Sequence, residues 1–173
     1  MSQQTAISSK SNKRIITGVL GLPYRHDQRF LLTKRHAPGK KDWHNKWQIA
    51  GGGLTYGETT EECLRREMWE ELRVRPTILY PHPIVTTRIW YADEAETQMD
   101  AHILLLTYII DIGSQVPDLT HDPDWETSDY GWYTLEEAGV LDCLPATVGV
   151  VESAFAIIQK NGILTADKKA LEG

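Results

Sequence analysis

Three glutamates, Glu67, Glu70 and Glu71, fall in a stretch that reads as a helix over residues 60–73. Thr59 followed by Glu62 gives a capping-box signature at its start, and no Gly or Pro interrupts it. At 3.6 residues per turn the three carboxylates share one arc of about 100°. Leu64, Met68 and Leu72 occupy the adjoining arc, so the acids lie beside the core-facing stripe rather than opposite it. At roughly 6 Å and an effective dielectric near 20, each carboxylate pair repels by about 3 kcal/mol. A solvated face would offset this with Lys or Arg four residues away, and only Arg66, beside Glu70, is so placed. Either solvent screens a plain acidic surface, or a divalent cation binds there. Mg²⁺ commonly takes one or two carboxylates together with substrate phosphates.

The elements that must position this helix can be read from periodicity. Residues 14–22 and 30–35 read as strands around turn residues 23–27, and 47–50 as a short strand entering Gly51-Gly52-Gly53. Further strands are expected at 77–79, 84–91, 101–112 and 125–133. Thr134 and Glu137 form a second capping box, and 146–160 reads as a helix stopped by Asn161-Gly162. Strands and helices do not alternate regularly, which predicts a mixed sheet packed by helices. Residues 1–13 read as a disordered lead, 14–162 as one domain and 163–173 as a loose tail.

Composition narrows the function classes. The 173 residues carry 18 Lys+Arg against 24 Asp+Glu, a net charge of −6. Residues 92–142 hold 13 acids and no Lys or Arg, which argues against a nucleic-acid partner. The basic cluster Arg29, Lys34, Arg35, Lys40, Lys41 and Lys46 suits a small anion, or is a solvated loop. The longest apolar run, 103–110, is far short of the roughly 20 residues of a membrane span. Two cysteines, Cys63 and Cys143, make neither a disulfide framework nor a zinc site, and the polar N-terminus is unlike a secretory signal. These features predict a soluble, cytoplasmic protein without a membrane partner. A homodimer is left open. The six histidines lack ligand spacing, and no Walker loop or G-x-S-x-G is present.

Read in register, the chain gives Gly52-x5-Glu58-x7-Arg66-Glu67-Met68-x-Glu70-Glu71-x-Arg73-Val74. This resembles the signature of the Nudix (MutT-type) hydrolases, with one departure: Arg73 stands where the family has Gly. The flanks are similar too, from Leu31-Leu32-x-Lys34-Arg35 through Gly39 to Trp47-x-Ile49-Ala50-Gly51-Gly52.

The resemblance implies an α/β fold, specifically an α/β/α sandwich around a mixed sheet. It implies a Mg²⁺-dependent (or Mn²⁺-dependent) pyrophosphohydrolase acting on a nucleoside triphosphate or another nucleoside diphosphate linked to X. Carried over, Glu67, Glu70 and Glu71 are metal ligands with the carbonyl of Gly51 or Gly52 nearby, while Glu58 pairs with Arg66. A further carboxylate is expected from 125–132. Glu126 is the candidate, with Asp124 and Asp129 as substitutes; the general base is Glu70 or Glu126. Arg35, Lys46, Trp47 and Gly52 are expected to meet the substrate. Trp43, Trp47, Trp90 or Tyr91 can stack a base. The rival readings are a dinucleoside polyphosphate or nucleotide-sugar hydrolase, and a catalytically weak nucleotide sensor. Arg73 is expected to be a tolerated substitution at a left-handed helix end.

Overall fold

The computed structural model describes residues 13–90, 101–122 and 125–165. The long strand β1 (Arg14–Arg25) is its axis. It turns through residues 26–28 into β2 (Arg29–Arg35), and a loop leads to β3 (Trp47–Gln48) and β4 (Ala50–Gly53). Helix α1 (Thr60–Leu72) follows, then β5 (Thr77–Ile78), β6 (Ile84–Trp90), β7 (Ala101–Asp111) and β8 (Thr127–Tyr133). The short α2 (Leu135–Gly139) and the longer α3 (Thr147–Asn161) complete the domain.

β1 and β7 pair in parallel from Arg14 with Ala101 to Pro23 with Ile110, while the other strand pairs are antiparallel. The sheet is therefore mixed, as expected. Side chains alternate between its faces at period two. Val19, Leu31, Tyr108 and Ile110 pack with Cys63, Leu64 and Met68 of α1. Leu22, Phe30, Leu32 and Ile109 face the other way, onto Val150, Val151 and Ala154 of α3. Two cores, one on each sheet face, make the α/β/α sandwich.

Several boundaries differ from the sequence expectation. β1 continues to Arg25, because Tyr24 and Arg25 pair with Phe30 and Arg29 in the hairpin. The 47–50 strand is split at Ile49, which lets Trp47 and Gln48 pair with β2 and Ala50 onward with β1. Trp125 has φ 52° and precedes β8. Ala146 is the left-handed residue before α3, so that helix starts at Thr147. Tyr91, Asp124, most of the 1–13 lead and most of the 163–173 tail lie outside the described residues.

Both capping boxes form: the Thr59 side chain accepts from Glu62 N–H and Glu62 answers onto Thr59 N–H, and Thr134 and Glu137 do the same. At the far end of α1, Arg73 takes φ 55° and ψ 31°. Its N–H reaches Trp69 O at 3.2 Å, the five-to-one bond of a left-handed helix ending, and Val74 N–H reaches Met68 O at 3.3 Å. The strain of a left-handed non-glycine residue is answered by its side chain, which lies over the Trp69 ring and donates to His121 O at 2.9 Å.

Candidate active site

The glycine turn and α1 meet because β4 pairs with β1 directly over the helix. Gly51 has φ 133°, a conformation side-chain-bearing residues rarely adopt. Gly52 lies against Glu67: a methyl group added there would fall 2.6 Å from Glu67 Oε2. Only glycine lets the turn come this close to a carboxylate.

Arg66 organises the acids. Its Nε donates to Glu58 Oε1 at 2.6 Å and its Nη2 to Glu58 Oε2 at 3.0 Å. Nη2 also donates to Gly53 O at 3.0 Å, tying the turn to the helix. Nη1 donates to Glu67 Oε1 at 2.6 Å and to Glu70 Oε2 at 3.0 Å. This guanidinium holds the Glu58 carboxyl down to about 2, helped by Thr55 N–H. The carboxylates in return raise the Arg66 pKa, so it is charged throughout the working range. The repulsion expected from the sequence is thus partly answered by Arg66 itself.

Glu67 and Glu71 are buried, while Glu70 is partly exposed. Burial pushes Glu67 upward against the pull of Arg66. Burial pushes Glu71 up to about 8, and the charges of Glu67, Asp122 and Glu126 add to it, opposed by a hydrogen bond from Gly51 N–H. That bond reaches Glu71 Oε1 at 3.3 Å. Glu71 Oε2 is buried with no hydrogen-bond partner. An orphaned buried carboxylate oxygen beside a second buried carboxylate suits a hard cation, which takes oxygen ligands and would lower both pKa values. Among the described residues no three Asp, Glu, His or Cys side chains already converge as a ligand set; Arg66 Nη1 lies between Glu67 and Glu70 instead.

Beside the turn opens a cleft of about 320 Å³, whose lining includes Arg35, Gln48, Gly51, Gly52 and Glu126. Arg35 Nη2 donates to Glu126 Oε1 at 3.3 Å and Nη1 to Gln48 Oε1 at 3.4 Å. Glu126 is close enough for its charge to act on Glu71, and it lines the cleft, as Asp129 does not. Two expected substrate residues are placed elsewhere. Lys46 Nζ is paired with Asp142, and Trp47 packs on Tyr133 with ring centroids 5.0 Å apart; neither lines the cleft. Trp43 and Trp90 do line it.

Sequence reasoning missed Asp122, a buried carboxylate that accepts from Thr127 N–H at 2.9 Å and adds to the field on Glu71. It stands in a segment crowded with acids, and no spacing marked it out. Gln48, which steadies Arg35, gave no signal either.

Residues 14–151 match the NUDIX domain. The chain belongs to the Nudix hydrolase family. It is 36% identical over 122 residues to "Nucleoside triphosphatase NudI" of Enterobacter sp. (strain 638), an alignment spanning 68% of this chain and 82% of that protein. Its fold is similar to the crystal structure of a MutT NUDIX hydrolase from Burkholderia pseudomallei, with TM-score 0.61, 25% identity and coverage of 80% of this chain and 97% of the other. It also resembles a C. elegans Ap4A hydrolase in binary complex, with TM-score 0.60, 17% identity and coverage of 84% and 98%. In this Nudix hydrolase the 52–74 box thus spans the glycine turn, the Arg66 hub and the acidic face of α1.

Proposed function

We propose that this Nudix hydrolase is a Mg²⁺-dependent pyrophosphohydrolase of nucleoside triphosphates, with Mn²⁺ able to substitute. The observation that carries the reading is the buried Glu67–Glu71 pair, with one carboxylate oxygen unpartnered, beside a cleft lined by Arg35. The family and the likeness to a nucleoside triphosphatase support it.

Glu67, Glu70 and Glu71, with the Gly51 or Gly52 carbonyl, would hold the cation; it supplies neutralisation of phosphate charge and polarises the attacked phosphoryl group. Arg35 binds a phosphate of the substrate by charge-assisted hydrogen bonds. Glu126, on the same cleft, takes a proton from the attacking water, with Glu70 as the other candidate base. Water then adds its oxygen to phosphorus, the phosphoanhydride oxygen leaves, and nucleoside monophosphate and pyrophosphate are formed. Glu58 and Arg66 keep the turn and helix in register and touch no reacting atom.

The test is a nucleotide panel assayed for pyrophosphate and phosphate release with Mg²⁺, Mn²⁺ or chelator. Pyrophosphate release from nucleoside triphosphates, abolished by chelator, is expected. Turnover confined to dinucleoside polyphosphates or nucleotide sugars would overturn the substrate assignment.

A further inference from the structure

Asp122 is a buried carboxylate to which the proposed hydrolysis gives no metal, phosphate or proton to hold. Its charge adds to the field that raises Glu71, so on electrostatic grounds an acid is unfavourable there. What the residue does in return is hold backbone. Its Oδ2 accepts from Thr127 N–H at 2.9 Å, and its carbonyl accepts from Trp125 N–H at 3.4 Å. Asp122 thus grips the chain on either side of Glu126. The backbone there is irregular. Trp125 has φ 52°, which side-chain-bearing residues rarely adopt, and it is 73% exposed, so packing does little to hold that conformation. Beyond Glu126, β8 opens with a bulge: Arg35 pairs with Thr127 but Lys34 with Asp129, leaving Ser128 as the extra residue. Bulges beside active sites re-aim side chains. Between the left-handed residue and the bulge, the Glu126 carboxylate meets Arg35, whose Nη2 donates to Oε1 at 3.3 Å, and Glu126 O accepts from His36 N–H at 2.6 Å.

We propose that Asp122 is a positioning residue for Glu126: its grip on Thr127 N–H and Trp125 N–H holds the 125–127 backbone so that the Glu126 carboxylate faces the cleft. The inference rests on the reading of Glu126 as the base that takes a proton from the attacking water. A base must lie within hydrogen-bond reach of that proton, and a misplacement of about 1 Å costs about a hundredfold in rate. Arg35 shares its guanidinium with a substrate phosphate, so a hold on Glu126 that persists with substrate bound must come from the backbone. The Thr127 bond is buried, where a backbone N–H stripped of its acceptor has no water to replace it.

The experiment is a double-mutant cycle. kcat and KM for ATP, GTP, CTP and UTP with Mg²⁺ are measured in the wild type, Asp122→Ala, Asp122→Asn, Glu126→Gln and the Asp122→Ala/Glu126→Gln double variant. Amide hydrogen exchange is followed by NMR in the wild type and Asp122→Ala. Asp122→Ala should lower kcat by roughly a hundredfold and leave KM within about threefold, since Arg35 stays in place. Asp122→Asn keeps an oxygen for Thr127 N–H and should recover most of that loss. In the Glu126→Gln background Asp122→Ala should cost no more than about threefold, because no base is left to aim. The Thr127 and His36 amides should exchange about tenfold faster or more in Asp122→Ala, while amides of β1 and β7 keep their wild-type protection. Losses that add in the cycle, an Asn variant no better than Ala, or unchanged Thr127 exchange overturns the proposal. Wild-type kcat in Glu126→Gln also overturns it and leaves the hydrolase reading standing, with Glu70 as the base. If the wild type hydrolyses no nucleoside triphosphate yet Asp122→Ala frees the Thr127 and His36 amides, the grip on the Glu126 backbone stands and the hydrolase reading falls.

Discussion

Replacing Glu71 by Gln should stabilise the fold while abolishing turnover, and the stabilisation should grow with pH. The Glu71 carboxyl sits at about 8 in the folded protein against 4.5 for the free group. A carboxyl raised on folding stays protonated in the native state while the unfolded chain ionises. Its contribution to stability is therefore fully present below pH 4.5 and is lost as pH climbs towards 8. By pH 7 the loss is about 3 kcal/mol, from two and a half pH units at about 1.4 kcal/mol each. Gln keeps the oxygen that accepts from Gly51 N–H and never ionises, so the variant escapes that loss.

Thermal unfolding in chelator, with variant and wild type compared at pH 5 and pH 7.5, reads the effect directly. The midpoints should nearly coincide at pH 5. At pH 7.5, where the loss is about 4 kcal/mol, the variant should lead by roughly 8–16 °C, taking 2–4 °C per kcal/mol for a chain of this size. Adding Mg²⁺ at pH 7.5 should raise the wild type, whose ionised carboxylate gains a partner, and leave the variant nearly unmoved. The kcat of the variant should fall by orders of magnitude. A difference in midpoint that stays constant or shrinks between pH 5 and pH 7.5 would refute the buried-carboxylate reasoning. Activity within about tenfold of wild type, only about 1.4 kcal/mol of barrier, would refute the ligand role.

Arg66→Ala removes the partner shared by Glu58, Glu67 and Glu70, and should lower stability by about 2 kcal/mol in denaturant titration together with a collapse of kcat; an unchanged midpoint would show that solvent already compensates the acids. Arg35→Ala should raise KM for nucleotides more than it lowers kcat, and an unchanged KM for every accepted nucleotide would return Arg35 to a surface role. Arg73→Gly relieves roughly 1–2 kcal/mol of left-handed strain but forfeits the Trp69 stack, the His121 carbonyl bond and some unfolded-state entropy, so the midpoint should move by only a few degrees and kcat/KM should hold. An inert wild type rescued by Arg73→Gly would overturn that reading.

What was legible in the sequence was whatever is set by neighbours along the chain. The α1 start is written in Thr59 and Glu62, whose side chains each accept from the other's backbone N–H across one turn. Its end is written less openly, because Arg at the left-handed position is an unusual choice; the family's glycine there predicts the conformation Arg73 adopts. The shared face of Glu67, Glu70 and Glu71 follows from helix periodicity alone. Their electrostatics do not. Glu71 is raised and Glu58 is lowered on the same acidic run because one is shut behind Gly51 and the other clasps Arg66.

Residues whose role depends on long-range pairing could not be sorted in advance. Lys46 and Trp47 precede the glycine turn and read as substrate contacts, yet Trp47 N–H bonds to Asp142 O and Leu144 N–H to Trp47 O. That junction carries Lys46 to Asp142 and Trp47 to Tyr133. Trp43 and Trp90 lie 47 positions apart and nothing local relates them. They meet because β6 pairs with β7 and β7 with β1, which brings the end of β6 over the same sheet face that the 36–46 loop covers. Thr107 is the sharper case. In sequence it is one polar residue interrupting an apolar strand, a position that reads as a flaw in the core. Its alternation with Leu105 and Ile103 puts it on the cleft side of β7, so the interruption falls on the cleft lining. The general chemistry of the site is therefore encoded in one helix. The meeting of Trp43, Trp90 and Thr107 on one cleft is encoded instead in the pairing of strands distant in the chain.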